Sequence, residues 1–586
     1  MKCRLFSLLL CLAILLPQFS LSASALTPAQ AADVDGDGAV TARDAAILAR
    51  YNAGWEGYVD KRGRLTYPWR TGPRTDGKFV KSFDPDQPVD FGGYTFRVLT
   101  RAGEADGTRE LDGETVPKFK TTHFSVMDVC PWLDGSWSDY GGYAKRFTKL
   151  SAAVAQRNAY LEETYHCSIE EIRVSDPFGE LHVDLFSGSC SYDLAAVSVG
   201  LTSPMLNMTI QSQVTFGLYE NVMNIPTVDI TKEWYEEDII RGVACGDAAY
   251  FLTGASDSTL RHAVFLPVIG LKTVKEAYGL TDEKAAGNFI YDLVLNGDWT
   301  VDKLIEVGTT CFNAYSDKTN KWLYSATGTS NITHAVGAGF SAYNPETRQL
   351  YSSFADCPGS DAFVKLKGFL SDEGHRTTTE NAAITGGLSG SSGVIRAIGV
   401  PTYCNGSAYD STSTNNWMAF LPFPKGSAAQ EHYITQPNNG FCCMYVIPTA
   451  NRAGAYADQY GFESGKDMEG YFISAFMEAS LARHNTLGYD LKDAVIEQLS
   501  ERRSFHNADF VSPEYPEGKP KAALRMIFDG LTLDFCFIYT SPITSVFSIT
   551  GGVAANWDTL SSRYATAYNQ QQRYLNKMLD FSAMDR

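Results

Sequence analysis

The sequence predicts an α/β protein divided into more than one lobe, and three observations carry that reading. Short apolar runs of strand character alternate with helix-period stretches from residue 90 onward. The chain has 586 residues, too many for one compact core, so its mass must divide. No tandem repeat interrupts the alternation.

The first segment is a leader. Lys2 and Arg4 precede the apolar run Leu5–Leu16, and Ala23-Ser24-Ala25 offers a small-residue cleavage site, which sets a signal peptide at 1–25. The run is too short to span a bilayer. Cys11 lies inside it, with Leu12-Ala13-Ile14-Leu15-Leu16 still to come, which argues against lipidation. No later segment approaches a membrane span, so the mature chain is expected to be secreted and extracellular or surface-associated. Without the leader the balance is 47 basic against 67 acidic residues, a net charge of −20. A chain this acidic is a poor partner for nucleic acid, which calls for clustered Lys and Arg. Ten cysteines remain and none forms a C-x-x-C pair, so no zinc site is expected. Disulfides and free thiols both remain open.

Residues 33–44 form a twelve-residue loop with acids at positions 1, 3, 5 and 12 (Asp33, Asp35, Asp37, Asp44) and Gly38 at position 6. Hard oxygen ligands around a Gly-dependent turn are what a calcium ion requires, with the Ala39 carbonyl and Thr41 completing the shell. The bland alternative is an Asp/Gly-rich surface turn that binds nothing. The loop passes into Ala45-Ala-Ile-Leu-Ala-Arg-Tyr-Asn-Ala-Gly-Trp55, and the whole stretch 33–54 resembles one repeat of a type I dockerin. That resemblance implies a cohesin-type partner, with Ala42 and Arg43 at the positions that choose it. The family has two repeats, whereas one is visible here. Residues 55–89 read as a linker, punctuated by Gly63, Pro68, Gly72, Pro73 and Gly77 and carrying seven basic residues from Lys61 to Lys81.

The large segment, 90–586, carries strands at Tyr94–Leu99 and Leu194–Val199. Between them, Leu150, Ala153, Val154, Ala159, Leu161 and Tyr165 recur at helical spacing over 149–166. Further helices are predicted at 274–280, 302–307 with Thr300 as N-cap, 467–484, 491–502 and 558–580. Cys442 and Cys443 point to opposite faces if their run is a strand.

Catalytic signatures are missing. There is no G-x-S-x-G elbow, no H-E-x-x-H and no Walker loop. Gly337–Ala342 matches a dinucleotide fingerprint loosely, but Tyr343-Asn344-Pro345 follows where a helix should begin. Glu236-Glu237-Asp238 offers paired carboxylates, more simply read as a solvated face. Aromatic residues are the stronger lead, since a sugar ring stacks its apolar face on Trp or Tyr while its hydroxyls need fixed polar partners. Trp132, Trp137 and Tyr140 fall within nine residues broken by Gly135. Trp234 and Trp417 follow as weaker candidates, with core packing the alternative for each, and Trp299 is assigned to packing at a helix start. Asp257 follows the apolar run Tyr250-Phe-Leu and is placed toward a cleft, because ligands of open α/β sheets bind beyond the carboxyl ends of strands.

Several stretches, in order, resemble the sugar-binding extracellular solute-binding proteins of bacterial ABC importers. They are Asp90-Phe-Gly-Gly-Tyr-Thr-Phe-Arg-Val-Leu, Gln156-Arg-Asn-Ala-Tyr-Leu-Glu-Glu-Thr-Tyr, Tyr192-Asp-Leu-Ala-Ala-Val, Phe216-Gly-Leu-Tyr-Glu-Asn-Val, Tyr291-Asp-Leu-Val-Leu-Asn-Gly-Asp-Trp-Thr, Phe420-Leu-Pro-Phe-Pro-Lys, Met444-Tyr-Val-Ile-Pro and Arg525-Met-Ile-Phe-Asp. The resemblance implies a two-lobed, hinged fold of the periplasmic-binding-protein type (type II) over 90–586. It also implies capture of a carbohydrate or related polar solute and an importer permease as partner. One departure is Gly270-Leu271-Lys272 where the family carries Phe-Asn-Lys, which bears on the local hinge. Two other readings stay open, a dockerin-bearing glycoside hydrolase and a ligand-free adhesion or assembly protein of the same fold.

Overall fold

The computed structural model describes residues 82–101, 105–111, 114–119, 148–174, 176–198, 210–257, 259–262, 264–314, 322–326, 340–344, 347–370, 376–377, 393–399, 417–437, 443–533 and 557–584. Its strands are β1 (Tyr94–Arg101), β2 (Ala105–Leu111), β3 (Glu114–Phe119), β4 (Cys167–Val174), β5 (Leu194–Ser198), β6 (Phe265–Gly270), β7 (Trp322–Ala326), β8 (Tyr343–Asn344), β9 (Gln349–Leu350), β10 (Arg376–Thr377), β11 (Gly393–Gly399), β12 (Met418–Phe420) and β13 (Cys443–Val446). Its α-helices are α1 (Thr148–Tyr165), α2 (Pro177–Ser187), α3 (Ile210–Thr215), α4 (Glu237–Gly242), α5 (Thr259–His262), α6 (Leu271–Tyr278), α7 (Glu283–Leu295), α8 (Val301–Asn313), α9 (Ser360–Leu370), α10 (Gly465–Glu478), α11 (Ala494–Ser500), α12 (Lys519–Asp529) and α13 (Trp557–Met584).

Two sheets define two lobes. The first has the order β13-β5-β1-β4, with β1 parallel to β4 and β5, and β13 antiparallel to β5. The second has the order β10-β7-β11-β6-β12, with β7, β10 and β11 parallel and β6 reversed between β11 and β12. A strand buried on both faces needs apolar residues at every position, as in β12, β13 and residues 194–197 of β5. On β5, Leu194 and Ala196 join Phe96, Val98 and Tyr445 in a first-lobe core, while Ala195 and Val197 face the other way with Met444 and Val446. On β12, Ala419 packs into the second-lobe core beside Ile269, whereas Met418 and Phe420 face the opposite side. Those opposite faces belong to one apolar cluster that continues from lobe to lobe.

The helices follow local signals. The apolar residues of α1 line one stripe and are buried at Leu150, Ala153, Val154, Leu161 and Tyr165. Thr300 caps α8 by accepting the Lys303 N–H at 3.3 Å, the role read for it in sequence, and Asp282 caps α7 through the Ala285 N–H at 2.7 Å. Helix α2 is absent from the sequence reading although its signals are present. Asp176 accepts the Gly179 N–H at 3.2 Å, Pro177 opens the helix, and Gly188 closes it at φ +68°. Tyr343 and Asn344 are strand, not helix, so no helix follows the loose dinucleotide fingerprint.

The folded unit begins earlier than residue 90. Phe83, assigned to the linker, is buried against Trp234 and Tyr471 with ring centroids 5.4 and 5.0 Å away, and the Val89 N–H donates to Tyr471 Oη at 3.0 Å. All six described cysteines are free thiols. Among the described residues no helix is long and apolar enough to cross a membrane.

Candidate functional site

The strand directions decide where a ligand can sit. In the first lobe the parallel strands β1, β4 and β5 point the same way, and β13 starts where β5 ends, Cys443 facing Ser198. Leu252 bridges Tyr445 in antiparallel fashion, so its segment runs toward that same end and reaches Asp257 there. The chain then passes through α5 into β6. In the second lobe Phe265, the first residue of β6, faces Gly399, the last of β11, so the parallel strands of that sheet end where the crossover arrives. The carboxyl ends of both sheets therefore meet at the crossover, where open α/β folds bind their ligands. A second crossing is braced by Thr435, which bridges Leu531, donating its N–H to the Gly530 carbonyl at 2.8 Å and accepting the Thr532 N–H at 3.0 Å. Gly530 is needed there, because a Cβ would lie 2.2 Å from the Tyr433 carbonyl oxygen.

Charged side chains gather at this hinge. The guanidinium of Arg261, on α5, donates to Glu236 Oε1 at 3.1 Å, and both side chains are largely buried. Lys492 lies 3.7 Å from the same carboxylate oxygen. These two cations hold the Glu236 carboxyl below its ordinary range despite a larger opposing effect of burial. Glu236 is thus an ion-paired hinge residue, not part of a solvated face. Asp493 and Glu517 receive the Arg525 guanidinium at 3.1 and 2.9 Å on the second-lobe side. Asp257 is buried at the lobe-1 end of the crossover, where Thr253 Oγ1 donates to its Oδ2 at 2.9 Å.

The other residues singled out in sequence fall in different places. Trp132, Trp137 and Tyr140 lie outside the described residues, in the stretch of chain between β3 and α1. Trp234 is a core residue. It is 6% exposed, Phe83 meets its ring edge-on, and its backbone runs so close to residue 254 that only glycine fits, with a Cβ 2.1 Å from the Trp234 carbonyl oxygen. A ring enclosed in this way has no face left for a sugar. Trp417 precedes β12, whose register (Met418 opposite Gly270) places it at the end of the second sheet remote from the crossover. There it stacks on His506, ring centroids 3.7 Å apart, and meets Phe510 edge-on. The register also corrects the hinge inference drawn from Gly270-Leu271-Lys272, because this turn from β6 into α6 lies at that same remote end. The residues expected to hold calcium, Asp33, Asp35, Asp37, Ala39, Thr41 and Asp44, and the expected partner-binding pair Ala42 and Arg43 lie outside the described residues. As a donor set, four carboxylates, one hydroxyl and one carbonyl are all hard oxygens, which suits calcium.

Sequence reasoning passed over two buried groups. Asp193 accepts from Tyr94 Oη at 2.7 Å, from the Arg97 N–H at 2.7 Å and from Arg452 Nη1 at 3.0 Å, tying β1 to the segment after β13. The Tyr192-Asp193 pair at the start of β5 was its visible signal. Glu469, on α10, is wholly buried, and neither carboxyl oxygen has a hydrogen-bond partner. Burial, with Asp193, Glu220, Cys190 and Asp467 nearby, pushes its carboxyl well above the ordinary value. Nothing local distinguishes it from the other acids of the chain.

Comparison with known proteins bears on both ends of the chain. The family model for the dockerin type I domain matches residues 14–51, a range that contains the acidic loop 33–44 and overlaps the expected leader over 14–25. No curated protein matches the chain. Among solved structures, the chain is similar to the galacto-N-biose/lacto-N-biose I-binding protein of the ABC transporter from Bifidobacterium longum, at 12% identity and TM-score 0.45, covering 83% of this chain and 99% of that one. It is similar to the cyclic alpha-maltosyl-1,6-maltose binding protein from Arthrobacter globiformis at 10% identity and TM-score 0.47, covering 83% and 99%. It is also similar to the GacH receptor of Streptomyces glaucescens at 10% identity and TM-score 0.45, covering 82% and 99%.

Proposed function

We propose that this chain is a secreted solute-binding protein that closes its two lobes on a carbohydrate or related polar solute and performs no chemistry of its own. The observation that carries the reading is the meeting of the carboxyl ends of two separate sheets at the chain crossover between lobes. A hinge there lets both sheets contribute loops to one cleft. The stretch between β3 and α1 supplies Trp132, Trp137 and Tyr140 as stacking partners, and Asp257 fixes the first crossover from below. The N-terminal segment is a calcium-ordered module that docks onto a cohesin-type partner. Asp33, Asp35, Asp37, Ala39, Thr41 and Asp44 hold the ion, which neutralises the self-repelling loop. Ala42 and Arg43 choose the partner. An importer permease is the expected second partner.

Isothermal titration of the full chain with plant-glycan oligosaccharides tests the reading. Saturable binding without turnover supports it. Trp137→Ala should weaken that binding by about 1–3 kcal/mol, the loss of a stacking face, with the thermal midpoint unchanged. A large drop in stability with affinity retained would place Trp137 in a core instead. The dockerin match favours a second reading, a glycoside hydrolase. Release of reducing sugar from those same glycans would establish it and displace the first, and two carboxyls about 5–5.5 or 6.5–9.5 Å apart across the cleft would be its structural mark.

A further inference from the structure

Between residues 82 and 90 the chain is exposed or half-buried at every position except one, and that one is Phe83. Its ring enters a socket of three aromatic side chains from three separate segments. Trp234 meets it edge-on with ring centroids 5.4 Å apart, Tyr471 of α10 edge-on at 5.0 Å, and Tyr165 at the end of α1 lies at 6.3 Å. A phenylalanine seated in this way withdraws a large apolar surface from water, and the edge contacts orient it.

The backbone behind the ring is fastened as well. Asp84 closes a turn. Its carboxylate accepts the Asp86 N–H at 3.0 Å and the Gln87 side-chain amide at 2.9 Å, and its carbonyl accepts the Gln87 N–H at 3.1 Å. Tyr471 Oη then accepts the Val89 N–H at 3.0 Å and donates to the Gln87 carbonyl at 3.4 Å, so one hydroxyl clasps the segment twice. The Phe91 N–H donates to the Tyr165 carbonyl at 2.9 Å, just ahead of β1. All these partners belong to the first lobe or to the segment itself, and the apolar cluster that holds Phe83 and Phe91 contains no residue of the second sheet.

We infer that Phe83 to Val89 is an anchor that ties the N-terminal segment to the first lobe alone, so that a partner gripping that segment holds the first lobe and leaves the second to swing. A load applied from the N-terminal side reaches the fold at Phe83. It must draw the ring from its socket and break the Tyr471 bonds before it acts on β1. The ring supplies apolar burial, and the hydroxyl supplies direction, because a hydrogen bond holds over a narrow range of distance and angle. The consequence for the second lobe rests on the closure and docking proposed above. The anchor itself does not, and its measurement needs neither solute nor docking partner.

Hydrogen exchange on the full chain reads the anchor at the place where it is cut. Phe83→Ala with Tyr471→Phe empties the socket and removes the hydroxyl clasp. The Val89 amide should then exchange at least tenfold faster, while peptides from β6 and α7 keep their wild-type rates. Unchanged exchange at Val89 would overturn the anchor. Equal acceleration in β1 and β5 would also overturn it, by making Phe83 an ordinary core residue. An optical trap pulling on the two chain ends measures the load path. Below the force that unfolds the lobes, the variant should extend further than the wild type by up to about 25 Å, the reach of the seven residues freed from Phe83 to Val89. Coincident traces would overturn the anchor. Should the double variant fail to fold, Phe83→Ala alone serves for both measurements.

Discussion

Replacing Glu469 by Gln should stabilise the protein at neutral and alkaline pH and do little at pH 5. In the native state the carboxyl is wholly enclosed, no donor reaches either oxygen, and its charged neighbours Asp193, Glu220 and Asp467 are acids. It therefore folds as the neutral acid. A folded-state pKa raised above the ordinary 4.5 makes the contribution of this group most favourable below that value. As pH rises further, the unfolded chain ionises and gains solvation while the folded chain does not. Stability then falls by about 1.4 kcal/mol per pH unit until the folded group itself ionises. From pH 5 to pH 8 the ceiling is roughly 4 kcal/mol. Glutamine keeps the shape without the proton equilibrium, so the advantage of Glu469→Gln should grow with pH until the folded carboxyl ionises. Urea unfolding of both proteins at pH 5, 6, 7 and 8, followed by tryptophan fluorescence, measures it. Lobes can unfold separately, so the transition assigned to the first lobe is the one to compare. Parallel pH profiles for the two proteins would refute the reasoning, since they would mean that Glu469 ionises natively or finds a partner.

Two further outcomes follow from the same physical accounting. Asp193→Ala leaves the Tyr94 hydroxyl, the Arg97 N–H and the Arg452 guanidinium without their common acceptor, and should cost about 3–5 kcal/mol of stability in denaturant unfolding. A loss below about 1 kcal/mol would show that water replaces the carboxylate. Asp33→Ala with Asp44→Ala removes two of the four carboxylates of the calcium loop and should abolish calcium binding in titration and any cohesin pull-down, with solute affinity retained. Calcium bound as tightly by the double variant would leave the loop a simple surface turn.

Much of the architecture was legible because it rests on interactions within a turn or a strand. The strands at Tyr94 and Leu194, the buried stripe of α1 and the Thr300 cap all follow from neighbours a few residues apart. Local reasoning erred on extents where packing overrode propensity. Helix α8 was expected to end near residue 307, but it continues through Gly308, Thr309 and Thr310 because Val307 and Cys311 bury on the second-lobe core. Helix α6 ends at Tyr278, two residues short of the expected limit, because Gly279 turns left-handed at φ +62°.

By itself, the sequence determined the α/β class and the local signals of individual elements, all properties of short-range pattern. Only the tertiary structure decided which of the described candidates are enclosed. Trp234 and Trp417 carry the same stacking chemistry as any sugar platform, yet Phe83 encloses one and His506 covers the other, and neither partner is near in sequence. Sheet register alone sends Asp257 to the crossover and Gly270 to the opposite end of β6. Burial of Glu469 and the seat of Phe83 on Tyr471 depend on contacts between segments hundreds of residues apart, and pattern along the chain carries no record of those distances.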